Sequence, residues 1–220
     1  MIFNYIFRIV VVFITSILLF VQPVKALDIN SCYLNHAEER SLLMVYPASQ
    51  DTWKVPESYN LHLWSVYCKL KNGELGIHAC NCAIAANPGN AINWNNLGQK
   101  FFRLGKYEEA LNSYNHGLLI EMDNSLILAN RCGALSMLNR FSEALDSCDL
   151  ALEGNGRWGF LGEALVWDNR GDALFNLGRY QEALVSFERA IKLNPDYKNA
   201  IINRAIVLYK LEKDLNQDHG

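Results

Sequence analysis

The chain has no basic block. Its 20 Lys and Arg stand against 23 Asp and Glu, with the two signs interleaved, over 220 residues. Without a cationic stripe, no nucleic-acid partner is expected. Signatures of chemistry are missing as well. There is no His-Glu-x-x-His, no phosphate loop, no calcium loop and no Ser/His/Asp order. His36, His62, His116 and His219 stand alone, as core-edge or surface histidines do. His78, Cys80 and Cys82 lie together with Cys68 one helix earlier, but the double Cys-x-x-Cys spacing of a zinc site is absent. Gly154-x-Gly156-x-x-Gly159 spells the dinucleotide fingerprint, yet no strand precedes it. It reads as a flexible connector, with Trp158 and Phe160 exposed beside it as a contact point for a partner. Neither a cofactor nor an enzymatic activity is expected.

What is present begins at the N-terminus. Arg8 is followed by an apolar run, Ile9 to Val21, relieved by Thr15 and Ser16, and then by Gln22-Pro23-Val24-Lys25-Ala26. A basic start, a short apolar stretch and small residues at Val24 and Ala26 make residues 1–26 a secretory signal peptide cut after Ala26. The run is short for a spanning helix, which needs about 20 apolar residues. Left uncleaved, the segment would instead anchor the protein to a membrane. Either way the rest is expected outside the cytosol, periplasmic or secreted. Losing Arg8 and Lys25 leaves 18 positive against 23 negative side chains, a net charge of −5. Six cysteines, Cys32, Cys68, Cys80, Cys82, Cys132 and Cys148, suit disulfides in such a compartment.

The remainder repeats a 34-residue unit. In the copy at 164–197 the landmarks are Trp167, Gly171, Tyr180, Ala183, Phe187, Ala190 and Pro195. In the copy at 91–124, Trp94, Gly98, Phe101, Tyr107, Ala110 and Tyr114 fall at matching places. Between them, 125–158 is in register, with Leu128 for the tryptophan, Cys132 for the glycine, and Leu135, Phe141, Ala144, Cys148 and Ala151 in core places. Five residues, 159–163, are inserted before the last copy. Residues 57–90 are a degenerate copy carrying Trp64, Tyr67, Leu70, Leu75, Gly76, Cys80, Ala83 and Pro88, after a leader, 27–56, of unclear structure. A lone helix over 198–213 closes the stack, with Lys210, Glu212, Lys213 and Asp214 as its polar outer face and 214–220 as a frayed tail. A repeat of this length is a helical hairpin that buries its apolar face only by stacking on neighbours. The small Ala110, Ala144 and Ala183 let the two helices of a hairpin touch. Gly105 and Gly178 cap the first helices, and Asn87-Pro88 and Asn194-Pro195 stop the second ones.

On Trp94-x-x-Leu97-Gly98 followed by Ala110-x-x-x-Tyr114, recurring from Trp167 to Phe187, the chain resembles the tetratricopeptide-repeat family. The resemblance implies an all-α superhelix of about four hairpins plus a capping helix. It implies a protein-interaction scaffold or assembly factor that holds a peptide or protein segment in its concave groove. The first helices of the family line that groove. Asn96, Asn130, Asn169 and Asn203 share one register there, at spacings of 34, 39 and 34. Some family members present such a ladder, whose amides offer donor and acceptor to a peptide backbone. The alternative is that these asparagines bond within the protein. Asn95, Gln99, Asp168 and Asp172 stand beside them as further groove residues. Family members that grip a C-terminal carboxylate use lysine, asparagine and arginine. Here the register before the asparagines holds Asn95, Ala129, Asp168 and Ile202, with no lysine. Arg131, Arg170 and Arg204 are expected to pair with carboxylates such as Asp146 or Asp172. In a hairpin turning near Asn139, Cys132 and Cys148 oppose each other, so a disulfide is expected. The second reading is a metal-carrying accessory protein or enzyme using the Cys68–Cys82 segment.

Overall fold

The first helices share local devices for starting and stopping. Asn90 and Asn124 precede two of them, and their side-chain oxygens accept from the Ile92 and Ile127 amides at 3.0 and 3.1 Å. These bonds satisfy amides that have no partner inside the helix. At the other end, Gly105, Asn139 and Gly178 adopt the left-handed conformation, with φ of 72°, 58° and 76°. The amide after each reaches back five residues, as Lys106 to Phe101, Arg140 to Leu135 and Arg179 to Leu174. The paired bonds from Gly105, Asn139 and Gly178 complete three identical helix stops.

The computed structural model describes residues 57–158 and 162–217, together with Cys32. The expected signal segment and the leader, Cys32 apart, lie outside these residues, as do 159–161 and 218–220. The described helices are α1 (Glu57–Leu70), α2 (Gly73–Ala86), α3 (Ala91–Arg103), α4 (Tyr107–Ile120), α5 (Ser125–Met137), α6 (Phe141–Glu153), α7 (Gly162–Asn176), α8 (Tyr180–Leu193) and α9 (Lys198–Gln217). They pair as four antiparallel hairpins and a last helix, an all-α superhelix with no strand among the described residues. None of the described helices is long and apolar enough to cross a membrane.

Within a hairpin the contact is made by one small and one large residue. Tyr114 lies on Gly98 and Phe187 on Gly171, so closely that a methyl group at either glycine would overlap the ring. Ala110, Ala144 and Ala183 are fully buried where the helices touch. In the middle hairpin the corresponding places hold Cys132 and Cys148, joined by a disulfide with the Cα atoms 5.4 Å apart. A covalent bond there replaces the aromatic-on-glycine contact of its neighbours. A second disulfide, Cys68–Cys80, ties α1 to α2.

Three expectations change. The Gly154–Gly156 segment is not a loose connector. Its Asn155 amide donates to the Asp123 carbonyl at 2.8 Å, the Gly156 amide to Ser125 Oγ at 3.0 Å, and Asn155 Oδ1 accepts from the Ser125 amide. It is folded back over the start of α5, and a side chain at Gly154 would strike Asp123 and Ser125. Trp158 is half-buried against the core rather than an exposed contact, and Phe160 lies outside the described residues. Finally, α9 runs on as helix to Gln217, and its exposed surface is not wholly polar. Ala200 and Val207 are buried beneath it, whereas Ile201, Ile202, Ile206, Leu208 and Tyr209 are exposed.

Candidate functional site

The first helices α3, α5, α7 and α9 bring the four asparagines into one row, but the row is not uniform. Asn130 Nδ2 donates to Asn95 Oδ1 at 2.7 Å, linking α5 to α3. Asn203 Nδ2 donates to Asp168 Oδ1 at 3.1 Å, linking α9 to α7. Each asparagine thus reaches the residue one place earlier in the preceding first helix. Asn169 would need its acceptor at Ala129, and Asn96 at Leu61, and neither residue offers one. Asn96 and Asn169 are half-buried, and their amides make no hydrogen bond among the described residues. Gly133 of α5 stands between the neighbouring helices. Its missing Cβ would lie 3.5 Å from Asn169 Nδ2 and 4.0 Å from the Phe102 ring. The Gly133 backbone, without a side chain of its own, thus lies between an aromatic edge and a free amide.

The flanking residues divide in the same way. Asn95 is 1% exposed and Asp168 is 5% exposed. Both act as acceptors between hairpins, not as groove-facing contacts. Burial raises the Asp168 carboxyl above the usual carboxylate range, Asp172 pushes in the same direction, and hydrogen bonds from Asn203 and Tyr197 oppose the rise. Burial and the Asp168 charge hold the Tyr197 hydroxyl well above its ordinary value, so it stays a donor. Asp172 is open to solvent and Gln99 is half-exposed, both on the register of Gly133.

The three arginines that follow the asparagines are structural, with partners other than those expected. Arg131 donates to Asn115 at 2.9 Å, Arg170 to Asp149 at 2.6 Å, and Arg204 to Glu188 at 3.3 Å. Each first helix is thereby tied to the second helix of the preceding hairpin. Arg170 also donates to Ser186 at 2.8 Å. Asn115, Asp149 and Glu188 recur at 34 and 39 residues, so the signal was in the sequence on the second helices. Sequence reasoning also missed Lys100, which is buried and caps α1 by donating to the Lys69 carbonyl at 3.2 Å.

The cysteine cluster offers no ligand set. Cys68 and Cys80 are bonded to each other, and no cysteine is free among the described residues. No group of three His, Cys, Asp or Glu there could hold a metal ion.

Two family models, both described as tetratricopeptide repeat, match residues 91–124 and 164–197. Stress-induced-phosphoprotein 1 of Caenorhabditis elegans is 31% identical over 84 residues, 38% of this chain and 26% of that protein. RNA polymerase II-associated protein 3 of Xenopus laevis is 33% identical over 73 residues, 33% of this chain and 11% of that protein. The chain thus spans about a quarter or less of these relatives. Among solved structures, the first TPR domain of human RPAP3 matches at 28% identity and a TM-score of 0.53, over 59% of this chain and 98% of that one. The first TPR of Spaghetti (RPAP3), bound to HSP90 peptide SRMEEVD, matches at 28% identity and a TM-score of 0.52, over 56% and 94%.

Proposed function

We propose that this tetratricopeptide-repeat chain is a non-catalytic scaffold that holds an extended segment of a partner protein against its first helices, outside the cytosol. The observation that carries the reading is the pair of free amides, Asn96 and Asn169, with bare backbone at Gly133 between their helices. A free amide on a half-buried wall can satisfy both the N–H and the C=O of a passing peptide group. Similar repeats hold peptides, as in the Spaghetti complex with SRMEEVD. The groove here differs in charge: Asp172 is exposed on the register of Gly133, and the register before the asparagines holds no lysine. Neutral or basic extended segments are therefore the preferred ligands, and an acidic C-terminal peptide is disfavoured. Export is supported by the two buried disulfides, which suit an oxidising compartment, and by the signal-like residues 1–26.

The test is selection of peptides from a random library on the purified chain. Selected peptides should be neutral or basic, and labelled copies should lose binding to an Asn96→Ala/Asn169→Ala variant whose melting is unchanged. An Asn130→Ala/Asn203→Ala variant should instead melt earlier, by about 1 kcal/mol for each lost bond. Binding that survives Asn96→Ala/Asn169→Ala moves the ligand off this row.

A further inference from the structure

The outer face of α9 lacks the second helix that covers every earlier first helix in the described structure. Ile201, Ala205 and Leu208 stand 34 residues beyond Trp167, Gly171 and Leu174. In the preceding hairpin Phe187 of α8 packs on Gly171, and Leu174 is fully buried. On α9 the same register is open: Ile201 is 44% exposed, Leu208 39% and Tyr209, beside them, 69%. Such a row on a soluble surface marks an interface.

The pattern on this row says what covers it. Lys198, Ile201, Ala205, Leu208 and Glu212 are spaced 3, 4, 3 and 4 residues apart, the spacing of a helix that packs lengthwise on another helix. Ala205, the smallest, is central, with aliphatic residues on both sides and opposite charges at the ends. Lys198 and Glu212 are both exposed and neither makes an ion pair among the described residues. Lys210 and Asp214, on the same helix, are already paired at 3.4 Å. A row with this order is complementary to itself when reversed. Laid antiparallel on a copy of itself about a two-fold axis through Ala205, it sets Lys198 against Glu212 of the second copy, twice, and Ile201 against Leu208 and Tyr209. A two-fold contact requires this reciprocity, in which each residue meets its complement. The small centre lets the two backbones approach closely.

We infer that α9 is the dimerisation helix of this protein, covered by α9 of a second copy packed antiparallel with Ala205 on the two-fold axis. The contact covers the open row of α9 and leaves the asparagine row untouched.

Cysteine cross-linking of the full chain under mild oxidation reads this directly. Ala205→Cys should give a band at twice the mass of the single chain on a non-reducing gel, and Asn199→Cys, exposed off the row, should not. Adding Lys198→Glu or Glu212→Lys to Ala205→Cys should lower cross-linking several-fold. Mixing the two charge variants should restore it, since each then meets its opposite. The inference is overturned if Ala205→Cys stays monomeric. It is equally overturned if cross-linking is indifferent to the charge changes, which would indicate random collision or a different partner on α9.

Discussion

Removing the disulfide of the middle hairpin tests how this stack is held together. Cys132 and Cys148 are fully buried and 16 residues apart. Closing a loop of that length is worth about 3 kcal/mol through its constraint on the unfolded chain. A Cys132→Ala/Cys148→Ala variant loses that term and also leaves unfilled space between α5 and α6. For a chain of this size each kcal/mol moves the melting temperature by about 2–4 °C, so a fall of about 6–12 °C is expected. Cys132→Gly/Cys148→Phe separates the two causes, because it rebuilds the contact that Gly171 and Phe187 make. It should recover the packing share and not the cross-link share, melting between the alanine variant and the parent. The readout is helical circular dichroism against temperature without reductant, so that Cys68–Cys80 stays intact throughout. Reasoning from chain constraint is refuted if the alanine variant melts with the parent, or if the Gly/Phe variant fully regains the parent's midpoint.

Two further outcomes follow from the first-helix row. The raised Asp168 pKa means that the folded chain holds this proton more tightly than the unfolded one. That carboxyl therefore lowers stability at neutral pH, and the cost is relieved as pH falls through the folded pKa. Asp168→Asn would recreate with Asn203 the amide pair formed by Asn95 and Asn130, so it should melt above the parent at pH 7, with the gap closing near the unfolded carboxylate value of about 3.9; a gap that widens in acid refutes the sign. Gly133→Ala meets only ordinary contacts and removes a mid-helix glycine, so it should stabilise by up to about 1 kcal/mol in thermal melts. Gly133→Leu should fold as well and yet block labelled peptides selected on the parent; full binding by it would place the peptide elsewhere.

The hairpins were legible because the residues that make them act locally and recur. Gly105, Asn139 and Gly178 need a left-handed backbone, and Ala110, Ala144 and Ala183 need a small side chain, whatever lies around them. The division of the asparagine row was harder to see, because it depends on pairs in neighbouring helices. Asn130 and Asn203 find acceptors 35 residues back at Asn95 and Asp168, whereas Ala129 leaves Asn169 free. A ladder read one column at a time cannot show that; two adjacent columns read together do. The face of α9 was misread for a related reason. Lys210, Glu212, Lys213 and Asp214 cluster in sequence near its end, while the exposed apolar residues precede them and alternate around the helix. Counting polar residues along the chain took the end of the helix for its side.

The arginine ties carry a practical consequence. Arg170 meets Asp149 across 21 residues, where Arg131 and Arg204 meet their partners across 16, so five added residues leave the joint unchanged. Closing a longer loop is cheap, about 0.6 kcal/mol for each doubling of its length. The alignment of successive hairpins is fixed by facing side chains and is independent of the cord between them. The junction between α6 and α7, beyond the Gly154–Trp158 stretch held against α5 and the core, is therefore the place to splice a label, an epitope or a reporter domain into this protein while keeping the row of asparagines and the face of α9.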